Sequence, residues 1–225
     1  MNIAVVANGE WNQEWGKREL STYERLIAAD GGANRIIESG YLPDALVGDL
    51  DSIKEENLEI CRQQGIRILS YPCEKDETDL ELALDYAAKV SEEEANGDSD
   101  AGRIKEIFLL GATGGRIDHL LGNLSIMFGF LKRGFQIRMK DPHQELWLLA
   151  GQKKLTGLKG QKLSIVPVTE KAIVRTEGLY YPLHQEVLHQ DSPRGISNAF
   201  LGDEALIEVS SGTVAVVTLH SNFAS

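Results

Sequence analysis

Up to residue 141 the chain alternates short apolar, β-branched runs with longer segments whose apolar positions recur at helical spacing. Ile3–Ala7, Leu26–Ala29, Ala45–Val47, Arg67–Tyr71, Glu106–Leu110 and Gln136–Lys140 are predicted strands. Two helices stand out. Thr78 caps the first, with Glu81 three residues on completing a T-x-x-E capping box, and Leu80, Ala83, Leu84, Ala87 and Val90 form its apolar face. The second runs from about Asp118 to Lys132, turns Leu120, Leu121, Leu124, Phe128 and Leu131 toward the sheet, and stops before Gly134. Such alternation predicts βα units and a mostly parallel sheet with flanking helices.

Ser91–Arg103 is small, acidic and polar, and is predicted to be a mobile surface loop without chemistry. After Asp141-Pro142 the pattern changes. Leu146–Ala150, Lys162–Val168, Ala172–Thr176, Ala205–Val209 and Val214–Leu219 are short strands separated by Gly, Pro or Ser-Gly turns. No amphipathic helix intervenes, which predicts a small antiparallel β-sandwich. The expected division is an α/β domain over 1–141 and a β domain over 142–225.

The predicted strands of the first domain end in polar clusters. Ile3–Ala7 ends at Asn8-Gly9, Leu26–Ala29 at Asp30-Gly31-Gly32, and the run through Val47-Gly48 at Asp49-Leu50-Asp51. Arg67–Tyr71 leads to Lys75-Asp76-Glu77-Thr78-Asp79, and Glu106–Leu110 to Gly111-Ala112-Thr113-Gly114-Gly115-Arg116-Ile117-Asp118. Ligands of open α/β sheets bind beyond the carboxyl ends of the strands. Asp49 and Asp51, two apart in an extended chain, would point the same way. About 5 Å apart at an effective dielectric near 20, they would repel by roughly 3 kcal/mol. A divalent cation removes that cost, and Mg²⁺ favours one or two carboxylates plus substrate phosphates. The same D-x-D is common in solvated turns. Asp79 adds a third carboxylate in the first turn of a helix, where an Asp also gains about 0.3–1 kcal/mol from the helix dipole.

The Gly111–Gly115 turn, Gly114 included, joins a strand to a helix, so its N–H groups could approach a phosphate. It is neither a Walker A loop nor G-x-G-x-x-G. Arg116 could clamp a phosphate bidentately, and Lys75 could offer it a point charge. Asp118 and His119 open the following helix. Asp30 suits a helix cap near Ala33 as well as it suits the site, and Ser197-Asn198 reads as a loop.

Composition narrows the function classes. An apolar fraction of 42% over 225 residues supports a packed core without disulfides. A formal charge of -11 argues against a nucleic-acid surface. Cys61 and Cys73, the only cysteines, form no C-x-x-C pair and read as reduced thiols of a cytoplasmic protein. Neither a signal peptide nor an 18-residue apolar span is apparent, so no membrane partner is expected.

Six segments, taken in order, resemble the thiamine pyrophosphokinase family: ADGGAN (29–34), GDLDSI (48–53), KDETDLE (75–81), GATGGRIDHLLGN (111–123), GLYYPL (178–183) and SNAF (197–200). The resemblance implies a Rossmann-like ATP- and Mg²⁺-binding domain followed by a β-sandwich that binds thiamine and dimerises. It implies a homodimer with active sites at the subunit interface. The implied reaction converts ATP and thiamine to AMP and thiamine diphosphate with Mg²⁺. Carried over by position, Asp49, Asp51 and Asp79 would hold the metal. Asp30, Lys75, Thr78, Gly114, Arg116, Asp118 and His119 would surround ATP or orient the reacting groups. Ser197 and Asn198 would serve the thiamine end. The family often places a Trp in the segment matching GLYYPL, where this chain has Tyr180 and Tyr181. From the residues alone, a diphosphokinase acting on a hydroxymethylpterin, a metal-dependent phosphatase and a non-catalytic nucleotide-binding module remain rival readings.

Overall fold

A computed structural model describes residues 2–95 and 105–220 of the chain. The chain divides into two compact units, Met1–Asp141 and Pro142–Ser225.

In the first unit the elements are β1 (Ile3–Val6), α1 (Gln13–Leu20), β2 (Arg25–Ala29), α2 (Gly32–Glu38), β3 (Ala45–Gly48) and α3 (Glu55–Gln63). They continue as β4 (Arg67–Ser70), α4 (Asp79–Ala95), β5 (Lys105–Leu110), α5 (Ile117–Lys132) and β6 (Phe135–Lys140). The six strands form one sheet in the order β6-β5-β1-β2-β3-β4, and every neighbouring pair is parallel. Central strands of a parallel sheet are covered on both faces, and β1 and β3 are buried at every position. Alternation sorts their side chains. Ala4, Val6, Leu26, Ala28 and Leu46 share one apolar cluster with Leu20 of α1, Ala33 and Ile36 of α2, and Leu58 and Cys61 of α3. Helix α4 packs across β1, β2 and β3, burying Ala83, Leu84, Ala87 and Ala88.

The chain steps outward from β1 to β4 and then returns to place β5 on the other side of β1. The strand order therefore reverses between β1 and β5, and in such sheets that reversal opens a crevice at the carboxyl ends.

The predicted α/β class and parallel sheet are what the chain adopts. Two details differ. Helix α5 buries Met127 and Phe130, leaves Leu120, Leu124, Phe128 and Leu131 half-buried, and exposes Leu121. Apolar residues surround this helix almost completely, so spacing alone does not select a face. The predicted loop Ser91–Arg103 is helical through Ala95, because α4 runs on through its Glu residues. The remainder of that loop lies outside the described residues.

The second unit contains β7 (Gln144–Thr156), β8 (Lys162–Pro167), β9 (Lys171–Glu177), β10 (Glu186–His189), β11 (Asn198–Ala199) and β12 (Glu204–Leu219), paired antiparallel. Ala205–Val209 and Val214–Leu219, expected as two strands, belong to one long strand, β12. It pairs with β7 along its length, with β9 through its first half and with β8 through its second. A register shift between Val209 and Val214 bends it from one set of partners to the other. Gly212 sits in that shift at φ +80°, where a Cβ would come within 2.3 Å of Lys171 O. The Ser-Gly pair thus marks a bulge, not a hairpin. Trp147, Leu163, Ile165, Val174, Ile207 and Val216 belong to the apolar core of this unit.

Candidate active site

Three carboxylates meet at the carboxyl edge of the parallel sheet. Asp30 follows β2, Asp49 follows β3 and Asp79 opens α4. Each offers one oxygen, and these oxygens lie within 4.8 Å of one another. Glycine permits the arrangement. A Cβ on Gly48 would stand 2.9 Å from Asp30 Cβ and 3.1 Å from Asp79 Cγ, so the two acidic side chains cross directly over its Cα. Asp30 adopts φ +44°, unusual for a residue with a Cβ, and its N–H still donates to Val47 O at 2.8 Å. The local cost of that conformation turns its carboxyl inward.

Lys75 lies inside the group and is not a free surface cation. Its Nζ is 3.0 Å from Asp79 Oδ1 and 3.7 Å from Asp49 Oδ2, and it donates to Pro72 O at 3.0 Å. Asp79 Oδ1 is buried and, although it faces that ammonium, receives no well-aligned hydrogen bond. Thr78 fills its predicted capping role, Oγ1 accepting the Glu81 N–H at 3.2 Å. Burial, partly offset by hydrogen bonds from Ser52 and Gly31, raises the Asp30 carboxyl above the ordinary range. At Asp49 burial works upward too, but the Asp51 N–H, the Cys73 thiol and the Lys75 ammonium outweigh it and the carboxyl is lowered. The hydrogen bond to Asp49 raises the Cys73 thiol in turn, which keeps that exposed cysteine protonated.

Asp51 lies outside the group of three. Leu50 has φ +69°, so the chain is turned, not extended, between the two aspartates, and the alternation expected of D-x-D does not apply. The Asp51 side chain is exposed, takes the Ser52 hydroxyl at 2.7 Å and interacts with Asp49, whose Oδ1 accepts the Asp51 N–H at 3.2 Å. Asp30 takes the third place in its stead. Helix α2 has no side-chain cap, so the capping role considered for Asp30 is not used.

A second group forms where β1 and β5 end side by side. Gly9 N–H donates to Gly111 O at 2.7 Å and Glu10 N–H to Thr113 O at 3.2 Å, extending the contact beyond the strands. Gly111, Gly114 and Gly115 have φ of +64°, +81° and +64°. The Glu10 carboxylate lies flat over Gly114, where an added Cβ would be 2.6 Å from its Oε2, and Oε1 accepts the Gly115 N–H at 3.2 Å. An anion already rests on this Gly-rich turn. Asn123 of α5 ties the turn down through Nδ2 to Ala112 O at 3.0 Å. Arg35 reaches beneath the group to donate to Gly9 O at 3.2 Å.

Arg116, Asp118 and His119 are exposed at the start of α5. The Arg116 guanidinium grips Asp118 with two bonds of 3.1 and 2.5 Å, which holds the Asp118 carboxyl down at about 2.

In the second unit the segments GLYYPL and SNAF come together. Leu179 pairs with Phe200, and Tyr180 N–H donates to Ala199 O at 2.8 Å. Asn198 is buried, and its amide accepts from Tyr181 N at 2.9 Å and donates to Tyr181 O at 2.7 Å. Oδ1 also accepts the Ala199 N–H at 2.9 Å, so both of its lone pairs are used and the amide holds Tyr181 in place. Tyr180 and Tyr181 are 62% and 63% exposed, their rings edge to face at 4.8 Å. Ser197, at φ +62°, is exposed and immediately precedes Asn198.

Glu10, Asn34 and Arg35 carry no role in the sequence reading, and Cys73 reads there only as a reduced thiol. Asn34 sits inside ADGGAN and Glu10 just after the Asn8-Gly9 turn, so their strand-end positions were the available signal.

Residues 17–139 match the family model described as "Thiamin pyrophosphokinase, catalytic domain", and residues 150–214 match "Thiamin pyrophosphokinase, vitamin B1 binding domain". The chain is 28% identical over 194 residues to the thiamine pyrophosphokinase of Bacillus subtilis (strain 168), covering 85% of this chain and 85% of that protein. The solved structure of a Bacillus subtilis thiamine pyrophosphokinase superposes with TM-score 0.81 at 24% identity, over 98% of this chain and 100% of the other. At that identity the likeness concerns the fold. A thiamin pyrophosphokinase structure from Geobacillus thermodenitrificans gives TM-score 0.79 at 26% identity, covering 98% of both chains.

Proposed function

The chain belongs to the thiamin pyrophosphokinase family, and from that premise we propose that it transfers the pyrophosphoryl group of ATP to the hydroxyl of thiamine, giving thiamine diphosphate and AMP. The observation that supports this most is the meeting of Asp30, Asp49 and Asp79 oxygens within 4.8 Å at the carboxyl edge of the sheet. A set of hard carboxylate oxygens, one of them buried at Asp79 without an aligned partner, fits Mg²⁺. Asp30, Asp49 and Asp79 would hold that ion, with Asp51 beside Asp49 adding to the negative field. Bound there, Mg²⁺ would neutralise charge on the triphosphate.

The chain's own residues then have distinct tasks. Lys75, already among the carboxylates, offers its ammonium to phosphate oxygens. The Gly-rich turn supplies N–H donors once the Glu10 carboxylate gives way to phosphate, and Arg116 can leave Asp118 to clamp the same group. His119 lies next to them on α5. The thiamine oxygen attacks the β-phosphorus, the bond from that phosphorus to the α-phosphate oxygen breaks, and AMP departs with the electron pair. Positioning and charge neutralisation supply most of the rate in such transfers. Asp118 and Asp30 are the two carboxylates that could take the hydroxyl proton, and Asp118 gains basicity once Arg116 leaves it for phosphate. In the second unit the exposed Tyr180–Tyr181 pair offers aromatic faces to the cationic thiazolium ring, and Ser197 precedes the Asn198 whose amide holds Tyr181. A homodimer and a cytoplasmic setting belong to the same reading.

Mass spectrometry of products after incubation with ATP, Mg²⁺ and thiamine tests it. AMP and thiamine diphosphate in equal amounts are expected. Inorganic phosphate without thiamine diphosphate, or turnover only with a hydroxymethylpterin, would overturn it.

A further inference from the structure

The segment from Asp49 to Lys54, between β3 and α3, carries one carboxylate of the cluster on irregular backbone, with Leu50 at φ +69°. Its hold on the rest of the unit comes largely from α2. Asn34 Nδ2 donates to Ser52 O at 3.0 Å, and Asn34 Oδ1 accepts the Lys54 N–H at 3.0 Å. The same oxygen accepts Asn57 Nδ2 at 2.9 Å, so both of its lone pairs are used. Asn34 is 6% exposed and Asn57 5%. A polar residue in a helix commonly bonds its own turn; Asn34 instead directs its amide away from α2 and closes on the segment two residues apart, as a neighbouring backbone would. Just before α2, Asp30 accepts the Ser52 N–H at 3.4 Å. Asp30, two residues before α2, and Asn34 within it therefore grip Ser52 by its N–H and its C=O.

We propose that Asn34 is a positioning residue for the cation site: its buried amide sets the Asp49–Lys54 segment so that Asp49 faces Asp30 and Asp79. This rests on the Mg²⁺–ATP reading above. Buried amides also simply support folds, and Asn57 provides the contrast. It bonds the same oxygen and is equally buried, yet among the described residues its side chain makes no hydrogen bond to Ser52 or to the cluster.

Mn²⁺ is the probe, its free fraction followed by electron paramagnetic resonance in the presence of ATP, with thermal melts run alongside. Outer partners of metal ligands are commonly worth about 10- to 100-fold in affinity. Asn34→Ala should weaken Mn²⁺ binding by that order, and added Mg²⁺ should restore its turnover. Asn57→Ala should melt earlier while keeping Mn²⁺ affinity near the wild-type value. Equal losses in the two variants, or no loss in Asn34→Ala, would overturn the proposal. If Asn34→Ala does not fold, Asn34→Ser, whose short hydroxyl can replace at most one of the three bonds, carries the same expectation. Wild-type protein that binds no Mn²⁺ with ATP present would instead overturn the metal reading, and this inference with it.

Discussion

A single methyl group added at Gly48 should separate the fold of this protein from its chemistry. In Gly48→Ala the new Cβ would lie 2.9 Å from Asp30 Cβ, 3.1 Å from Asp79 Cγ and 3.2 Å from Asp79 Oδ1. Carbon pairs prefer about 3.5–4.0 Å, so both side chains must retreat by several tenths of an ångström to about 1 Å, in opposite directions. Overpacking of this kind costs about 1–3 kcal/mol. At about 2–4 °C per kcal/mol for a chain of this size, the melting temperature should fall by several degrees, with the fold kept. Activity should suffer far more. Misplacement of reacting groups by about 1 Å can cost roughly 100-fold, and here two of three proposed ligands move at once. Steady-state AMP release should drop by about that factor with the half-saturating Mg²⁺ concentration raised, while thermal melts shift only modestly. Turnover and Mg²⁺ dependence close to wild type would refute the crossing of the carboxylates over Gly48 as the basis of the site.

Lys75→Met should destabilise the protein in EDTA by roughly 2 kcal/mol, below the range for a fully buried pair because solvent still reaches these groups; Mg²⁺ should then raise its melting temperature more than that of wild type, and equal gains would contradict the placement of the ammonium among the carboxylates. Asp30→Asn should lower turnover yet raise the melting temperature in EDTA at neutral pH. Burial raises the Asp30 carboxyl, so its ionised form weakens the fold above its folded pKa, and the advantage of Asn should shrink as pH falls through that value. An advantage that grows in acid would reverse the sign and refute the burial argument. Tyr180→Ala should raise KM for thiamine while leaving ATP-dependent Mn²⁺ binding unchanged, which initial-rate assays and Mn²⁺ titration would check.

Much of this was legible in the chain because parallel strands write themselves as continuous apolar runs. The ends of those runs at Asp30, Asp49 and Gly111 located the carboxyl edge, and Thr78 followed by Glu81 marked the start of α4. Backbone twists at single residues were not legible. Nothing in GDLDSI reveals that Leu50 adopts a positive φ, and that one angle leaves Asp51 outside the cluster that Asp30 completes. Side chains that satisfy backbone groups were equally hidden. Asn198, expected near a ligand, spends its amide on Tyr181, and Glu10 lies on the Gly115 N–H because strand order sets β1 beside β5. The face expected of α5 took in the exposed Leu121 and missed Met127 and Phe130 for want of polar contrast, and β12 concealed its continuity behind a bulge that looks like a turn.

In the proposed mechanism, carboxylates from three strand-to-helix junctions share one cation that grips a triphosphate. Anomalous diffraction from crystals grown with Mn²⁺ and a non-hydrolysable ATP analogue addresses it most directly. The expected result is a Mn²⁺ peak bonded to Asp30, Asp49 and Asp79 and to phosphate oxygens. A nucleotide bound elsewhere, or a metal peak away from these three side chains, would contradict it.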